Sequence, residues 1–443
     1  NTLLFVLFAL SANAADGTIG TVSVQKGNNV SVNGEAPLSL TLDGKDHQSC
    51  QFLSKRAPDE SHEFTWKEVT TTRGGELAEI LGAQLRSVDS LVVKGYVNDK
   101  DFHAMWDASL YGYLSVINLK NAVLENNAVP DTAFFHENEQ YEGSSHEIFY
   151  YIGLRKIILP EGLEKIGEGA FYQASALRQV NFPSTLRYIG DFAFNATKLE
   201  MNQLVIPEGV EEINQYAFAF CRKLKAQVTL PSTIKKIGEW AFYGCPITSI
   251  NLPEGLESLG SLSFWDCDLR EVSIPSSCHE FNEGWQFGFN RNLEKMHLPE
   301  GMTEIPDHFA VDCFRLREVN FPHTLKHIGE KAFSLCISLK NVELPLGMQS
   351  LGEEAFSELE ALEQIVFPAS MKSLGKNSCS YWKNIKRIYC AAMESPVCDP
   401  TDGGVFSGFD FPDGFDTPVV YIPKGSINKY KDTSRNCMGW EKF

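Results

Sequence analysis

The sequence of 443 residues lacks the signatures of several common biochemical functions. No Gly-x-Gly-x-x-Gly follows a predicted strand, and neither a Gly-x-x-x-x-Gly-Lys-[Ser/Thr] phosphate loop nor a Gly-x-Ser-x-Gly nucleophile turn occurs. Cations are scarce, because 39 Lys and Arg stand against 57 Asp and Glu, a formal net charge of −18. Nucleic-acid binding needs clustered cations, so we expect no nucleic-acid partner. Beyond the first residues there is no apolar run of about 20 residues, so we expect no membrane span.

The sequence also lacks a metal site or a catalytic constellation that stands out. His146-Glu147 begins a zinc-protease motif, but Tyr150 occupies the place of the second histidine. The 11 cysteines include no Cys-x-x-Cys pair. Five Asp in residues 399–416 are suited to Ca²⁺, but their spacing does not match an EF-hand, so a solvated loop is the favoured interpretation. We predict a protein that is not an enzyme and that holds no cofactor and no metal.

The first residues have the pattern of a secretory signal. Residues 3–10 are apolar, and Ala12-Asn13-Ala14 follows them. A short apolar stretch before Ala-x-Ala is typical of the end of a signal peptide, and we place the cleavage after Ala14. No Cys follows the apolar stretch, so we expect a free secreted or periplasmic protein and no lipid anchor.

What the sequence does contain is a repeat. Two apolar residues stand one and three positions before each of ten prolines, which is the alternation of a short strand with one buried face. Proline then ends the strand, because it has no N–H for a sheet ladder. The prolines recur every 22–24 residues, at Pro160, Pro183, Pro207, Pro231, Pro253, Pro275, Pro299, Pro322, Pro345 and Pro368.

A second motif, Ile-Gly-x-x-Ala-Phe, recurs later in each repeat, as at Ile237-Gly238 and Ala241-Phe242. We expect the Gly to suit a turn and the Ala-Phe pair to fill the core. A unit of this length cannot bury its own apolar face, so it must stack on its neighbours in a solenoid. Two units depart from the motif, at residues 281–287 and 305–310, and we expect both to form locally irregular coils.

Cysteines often follow the core Phe at a spacing of three residues. We predict that these are buried free thiols acting as small hydrophobic side chains, with disulfides between neighbouring coils as the alternative. Cys390 and Cys398 lie beyond the repeats in a predicted loop, and in an oxidising compartment they would be the first candidates for a disulfide. The cysteines in the repeat register are Cys221, Cys245, Cys267, Cys313 and Cys336.

The combined pattern, Leu-x-x-Leu-x-Leu-Pro-x-x-Leu-x-x-Ile-x-x-x-Ala-Phe-x-x-Cys, resembles the BspA-like (Treponema pallidum type) leucine-rich repeat over residues 154–390. The resemblance implies an α/β fold: a right-handed leucine-rich-repeat solenoid of about ten 22–24-residue repeats, with a parallel sheet on one face. It also implies a secreted or cell-surface bacterial protein, because members of this family are linked to adhesion, host matrix proteins and bacterial co-aggregation.

The remaining segments are interpreted around this solenoid. Residues 1–14 are the signal remnant, and residues 15–72 are an irregular segment in which Gly27-Asn28-Asn29 suggests a hairpin turn. Residues 73–153 read as an N-terminal cap with divergent repeats, a helix at Gly75–Leu81 and a polar insertion. Residues 391–443 read as a C-terminal cap with a last strand at Val419–Ile422 and a closing Trp440.

Two surface ladders could form a binding face. The outward strand positions are polar amides and charges without an aromatic ring, as in a solvated sheet face. The position two residues after the Gly accepts Lys, Glu and Asn in some units, which predicts exposure, and it carries large apolar residues in four consecutive units. Packing of these rings against neighbouring coils is the alternative. The predicted binding residues are Phe192, Tyr216, Trp240 and Leu262 at this position, with Tyr243 and Trp265 just after the core Phe position widening the stripe.

These observations predict a secreted, non-enzymatic solenoid that binds an extracellular protein, either host matrix or bacterial surface. The alternative is a glycan-binding or nutrient-capture protein that uses the stripe and loses its affinity on Trp240→Ala. We expect a monomer or a weak dimer.

Overall fold

A computed structural model of the chain describes residues 20–25, 29–34, 40–41, 62–135, 152–398, 404–406, 418–431 and 440. For residues 20–41 it describes the backbone alone. The predicted signal peptide, the His146-Glu147 pair and the five Asp of residues 399–416 lie outside the described residues.

The N-terminal hairpin is confirmed by strand pairing. Gly20–Gln25 pairs antiparallel with Asn29–Gly34, with Val22 opposite Val32. A short strand, Leu40–Thr41, adds parallel to the first.

The described residues fall into two compact units. The first unit comprises Asn1–Asn202, Pro207–Val210 and Tyr216–Leu224, and the second comprises Gln203–Ile206, Glu211–Gln215 and Lys225–Phe443. Each unit is a stack of coils joined by parallel strands, so the predicted parallel-sheet solenoid is confirmed.

In the first unit, the main ladder precedes the prolines and a second ladder precedes the glycines. The strands of both ladders pair in parallel. The main strands are Trp66–Thr71, Ser90–Val97, Val116–Leu124, Lys156–Ile158 and Gln179–Val180, and the second-ladder strands are Ala128–Val129, Lys165–Ile166 and Tyr188–Ile189.

The predicted cap of the first unit contains two helices. The expected helix forms as Leu77–Leu81 and continues in the 3₁₀ turn Gly82–Ser87. Helix Asp99–Tyr111 was not predicted, although Asn98 and Asp101 form a capping box at its start. A further 3₁₀ turn spans Glu125–Asn127.

The second unit also contains a main ladder and a second ladder. Its main strands are Gln203–Val205, Gln227–Thr229, Ser249–Asn251, Glu271–Ser273, Lys295–His297, Glu318–Asn320, Gln364–Phe367, Arg387–Cys390 and Val419–Tyr421. The second-ladder strands are Glu212–Ile213, Lys236–Ile237, Ser258–Leu259, Glu280–Phe281, Glu304–Ile305, His327–Ile328, Ser350–Leu351, Ser373–Leu374 and Val397–Cys398.

The only α-helix among the described residues of the second unit is the short Ile427–Tyr430. The repeated coils of both units therefore owe their shape to strands and turns, and the α part of the predicted α/β class is confined to the ends. Coil strands also precede and follow the ten-proline stretch, so the predicted count of about ten repeats is approximate. None of the helices in the described part of the chain has the length and apolar character needed to cross a bilayer.

The predicted alternation of the main strands is confirmed by burial. In Gln227–Thr229, for example, Val228 is buried while its two neighbours are exposed. The strand expected ahead of Pro345 is the exception, because Val342 is buried but no strand is assigned there. Burial on one face thus follows the sequence period even where the ladder is interrupted.

A column of Phe rings fills the core behind the ladders. In the first unit the rings of Phe134, Phe171, Phe194 and Phe218 stack at centroid distances of 5.1–5.4 Å. In the second unit, Phe242, Phe264 and Phe287 continue in the same way at 5.5–5.6 Å. The repeated Ala-Phe pair is therefore the core element that the sequence predicts.

The glycine of the Ile-Gly motif has a different role from the predicted one. A Cβ at Gly260 would lie 2.4 Å from the backbone N of Glu239 in the preceding coil, and one at Gly352 would lie 2.6 Å from the N of Glu330. Neither glycine has a positive φ. The glycine is needed because adjacent coils approach each other closely there, and the turn itself does not require it.

The left-handed backbone conformation occurs two and six residues after the motif glycine. In one coil it is adopted by Trp240 and Gly244, with φ of 57° and 65°. The same two positions recur along both units and accept almost any side chain, as at Lys331 and Leu335. Positive φ at a bulky residue is therefore a property of this coil and not a mark of a site.

The two coils that depart from the Ile-Gly-x-x-Ala-Phe motif, at residues 281–287 and 305–310, differ from each other. Between Phe281 and Trp285 one extra residue is accommodated by positive φ at Glu283 and Gly284, so the predicted irregularity is confirmed there. The coil at residues 305–310 keeps regular ladder pairing, so the prediction of an irregular backbone is wrong for it. Only its side-chain order is exchanged: Phe309 precedes Ala310, and Phe309 packs edge-on against Phe287 at 5.3 Å.

The end of the second unit corrects the prediction for Cys390 and Cys398. Both lie in ladder strands rather than in a loop, and both are free, buried thiols. The Tyr430 hydroxyl donates to Cys390 Sγ at 2.9 Å. Trp440 is buried against Phe406 and Tyr430, as expected of a closing residue.

Candidate interaction surface

The side of each coil opposite the main strands is held by backbone hydrogen bonds to the next coil. The N–H groups of Trp240, Phe242 and Gly244 donate to the carbonyls of Ser261, Ser263 and Trp265 at 2.8–2.9 Å. The middle residue of each such triplet points into the core, and the first and third are the left-handed positions. Phe192, Tyr216, Trp240 and Leu262 of the predicted stripe occupy the first of these positions, and Tyr243 and Trp265 lie three residues further along their coils.

Phe192 and Tyr216 carry the stripe in the first unit. Their rings stack at 4.7 Å with an interplanar angle of 8°, and both side chains are half-buried. The edge of Tyr172 packs on Phe192 at 5.9 Å. Much of the surface of these rings is therefore buried in contacts between them.

In the second unit the stripe begins with Trp240, Tyr243 and Leu262. Trp240 packs on Tyr243 at 4.4 Å, and Tyr243 is only 3% exposed. Trp240 and Leu262 are half-buried. In both units the rings of the stripe pack against one another or against neighbouring coils, as in the alternative interpretation, and apart from the buried Tyr243 they keep part of their surface exposed. A role of these residues in binding stays a prediction.

Trp265 belongs to a larger group of rings, the aromatic cluster, which we define as Trp265, Trp285, Phe289 and His308. The ring of Trp265 lies 5.1 Å from Trp285 and 4.5 Å from Phe289, and Trp285 stacks on His308 at 3.6 Å. All four side chains are half-buried. Each ring keeps part of its surface in solvent while its neighbours fix its orientation, which is the state of an interface anchor before binding.

Gly288 makes room for this arrangement. A Cβ at Gly288 would lie 2.2 Å from the six-membered ring of Trp265. The indole therefore lies directly on the backbone of the next coil, between the side chains of Trp285 and Phe289.

The sequence prediction missed Trp285, Phe289 and His308 as partners of Trp265. This coil lacks the motif glycine, so its residue at the stripe position cannot be found by counting forward from that glycine. The hydrogen bond from the Trp285 N–H to the Asp307 carbonyl, at 3.1 Å, places Trp285 at that position. Counting back two residues from the core Phe287 would have found it.

Carboxylates surround the aromatic cluster. Asp266 and Asp307 directly follow and precede cluster residues in the sequence, and Glu330 lies 3.7 Å from His308 Nε2. Lys331 donates to Glu330 at 2.9 Å and so offsets part of this charge. The exposed guanidinium of Arg291 lies over the ring of Phe289 at 5.7 Å and over Phe314 at 5.6 Å.

His308 is the titratable member of the aromatic cluster. Burial lowers the pKa of its imidazole below the usual 6.5, although the nearby Glu330 acts in the opposite direction. Its Nδ1 is buried and has no hydrogen-bond partner within the described ranges. The stacked His308–Trp285 pair is therefore held in the neutral form.

The cysteines do more than fill space. The thiol of Cys267 donates to the carbonyl of Phe242 in the preceding coil at 3.3 Å, and Cys313 donates to that of Phe287 at the same distance. Asn290 occupies the same register and donates to Phe264 O at 2.7 Å. The position three residues after the core residue thus carries a small side chain that donates to a backbone carbonyl of the preceding coil, which the hydrophobic interpretation had missed.

All nine cysteines of the described residues are buried and free, so the predicted buried thiols are confirmed for this part of the chain and the alternative disulfides do not form. Burial raises the pKa of the Cys278 and Cys313 thiols to about 12. Within the described ranges, no three His, Cys, Asp or Glu side chains form a group suited to a metal ion.

The sheet face is polar over most of its length, as predicted, but it changes in the last strands. Val366, Tyr389 and Tyr421 lie side by side in the ladder register. The two Tyr rings stack at 4.6 Å, and Val366 and Tyr421 are 48% and 45% exposed. The prediction of a face without aromatic rings ended at Val366 and therefore missed this pair.

Comparison with known proteins places these features in context. The family model for the BspA type leucine-rich repeat region matches residues 144–228, 225–329 and 303–395. A search among curated protein sequences gives no significant match.

Solved structures of similar proteins are bacterial leucine-rich repeat proteins. One from Bacteroides ovatus is 19% identical, with a TM-score of 0.51 over 79% of this chain and 92% of its own. The Treponema pallidum leucine-rich repeat protein is 29% identical over 36% of this chain and 77% of its own, with a TM-score of 0.34. A leucine-rich cell surface protein from Faecalibacterium prausnitzii is 17% identical over 80% and 95%, with a TM-score of 0.35.

Of these three structures, the one from Bacteroides ovatus has a TM-score above 0.5, and at 19% identity it shows the fold alone. The matched repeats together span residues 144–395, more than half of the chain, and their strands and core Phe residues form the coils described above. The chain belongs to the BspA-type leucine-rich repeat family.

Proposed function

We propose that this protein is a secreted or cell-surface adhesion scaffold that binds a protein of the host matrix or of a neighbouring cell. The observation that carries the proposal is the aromatic cluster. Trp and Tyr dominate the binding energy of protein interfaces when they are partly buried and held in place by neighbours. Stacked coils with a continuous core supply the rigid support that such anchors need.

The test measures binding of the full chain to arrayed matrix and bacterial surface proteins, with Trp285→Leu and Tyr381→Ala as variants. Leu keeps apolar volume beside His308 but removes the indole. Tyr381 is the control, because like Trp285 it is an aromatic residue in the left-handed conformation, with φ of 56° against 65°, but it lies outside the aromatic cluster and is 49% exposed. We expect binding to be lost with Trp285→Leu and kept with Tyr381→Ala. Equal binding by both variants would refute the assignment of the contact to the aromatic cluster.

A second candidate function, glycan capture, is favoured by the Tyr389–Tyr421 pair. Stacked, partly exposed Tyr rings offer an apolar face with polar hydroxyls at the edge. Arg387, exposed and in register with Val419, supplies hydrogen-bond donors beside them. Glycan-array binding that disappears with Tyr421→Ala and persists with Trp285→Leu would support this function in place of the first.

A further inference from the structure

The aromatic cluster combines two features that attract the same chemical group. Ring faces of Trp and Phe attract cations through their quadrupoles. Glu330 lies 3.7 Å from His308 Nε2, and Asp266 and Asp307 adjoin Trp265 and His308 in the sequence, so that carboxylates near these rings attract cations through their charge.

The charge around the aromatic cluster is unbalanced. Besides the three carboxylates, Glu283 is exposed next to Gly284 and Trp285. The cations nearby are Arg291 and Lys331, and Lys331 is engaged by Glu330. This surface therefore carries an excess of negative charge, in line with the net charge of −18 of the whole chain.

Arg291 already makes the kind of cation–ring contact that we expect from a partner. Arg291 lies between the rings of Phe289 and Phe314, at 5.7 and 5.6 Å from their centroids, while its side chain stays exposed. Trp265 in the preceding coil and Trp285 in the same coil as Phe289 provide further ring surface. A guanidinium from outside would extend the same layering of rings and cations along the solenoid.

We propose that the aromatic cluster recognises arginine or lysine side chains on a basic segment of the protein partner. This inference rests on the proposed function and adds to it the chemistry of the partner. The planar guanidinium suits this site better than the ammonium, because it stacks on aromatic faces and pairs with carboxylates at the same time.

The test uses nona-arginine and nona-lysine peptides, titrated into the full chain by calorimetry at two salt concentrations. We expect nona-arginine to bind more tightly than nona-lysine. Trp285→Leu should weaken nona-arginine about ten-fold, which corresponds to about 1.4 kcal/mol. A double variant, Asp266→Asn with Asp307→Asn, should weaken it by a similar factor, and higher salt should remove most of the effect of the double variant.

The control distinguishes this site from general attraction to an acidic protein. Glu271→Gln with Glu318→Gln removes the same number of charges from the exposed sheet face. If this control weakens nona-arginine as much as the Asp266 and Asp307 variant, or if Trp285→Leu has no effect, the inference is overturned. If a matrix protein binds through Trp285 but nona-arginine does not compete with it, the proposed function stands and the inference fails.

Discussion

The close approach of neighbouring coils at Gly352 leads to a quantitative prediction for two substitutions in one turn. In Gly352→Ala the new Cβ would lie 2.6 Å from both the N of Glu330 and the C of Gly329. These are backbone atoms that cannot rotate away, and φ at Gly352 is not in the left-handed region, so the cost is purely steric. Overpacking of this kind costs about 1–3 kcal/mol, and the upper end applies because two coils would have to separate.

Glu354→Gly, two residues later in the same turn, is the matched comparison, because it removes a side chain from a left-handed position where Gly352→Ala adds one at a close contact. Glu354 has φ of 51°, so Gly relieves about 1–2 kcal/mol of left-handed strain. The greater freedom of Gly in the unfolded chain offsets about 0.5–1 kcal/mol of that gain, and the loss of the 3.8 Å Lys331–Glu354 pair offsets up to about 1 kcal/mol. We therefore expect Glu354→Gly to change stability by less than about 1 kcal/mol.

Urea unfolding of the full chain, followed by far-UV circular dichroism, measures both effects. Gly352→Ala should lower the free energy of unfolding by at least about 2 kcal/mol more than Glu354→Gly does. If Gly352→Ala is tolerated while Glu354→Gly destabilises, the motif glycine serves the turn and our account of coil contact is wrong.

Three further predictions follow from the core and from the aromatic cluster. Asn290→Ala should cost about 1–3 kcal/mol in urea unfolding because it leaves Phe264 O unpaired, whereas Asn290→Cys should cost less; equal losses would show that the donor is irrelevant. In a chain carrying Cys50→Ser and Cys437→Ser, the nine remaining cysteines are all buried, and burial disfavours their reactive thiolate form. This chain should not react with a thiol reagent until urea unfolds it, and rapid reaction of the folded protein would contradict the prediction. The imidazole of His308 should titrate below 6.5 by NMR, so that the stability it provides is complete above pH 6.5 and falls as the pH drops below that value; a pKa above 6.5 would be inconsistent with its burial.

The sequence was sufficient for the regular part of the fold. Strands ahead of the prolines, the core Phe column and the buried cysteines all follow from burial on one face at a fixed period, which is a local property. The helix Asp99–Tyr111 was missed because its signal is a single capping box and not a repeat.

The candidate site was predictable only in part. The stripe position was found, but Trp285 and His308 were not brought together with Trp265, because an inserted residue before Trp285 shifts the count within its coil. The extent of exposure could not be predicted either, since it depends on rings of neighbouring coils such as the Trp265–Phe289 pair. The role of the motif glycine was misjudged because a contact between backbones leaves no trace in residue type beyond the glycine itself.

The central claim is that the aromatic cluster is the contact surface, and hydroxyl-radical footprinting of the full chain with and without its array-identified partner tests it most directly. The method reports the solvent access of individual aromatic side chains. Our account predicts protection of Trp265, Trp285 and Phe289 in the complex and unchanged oxidation of Tyr389 and Tyr421. Protection of the two Tyr residues without protection of the aromatic cluster would contradict it.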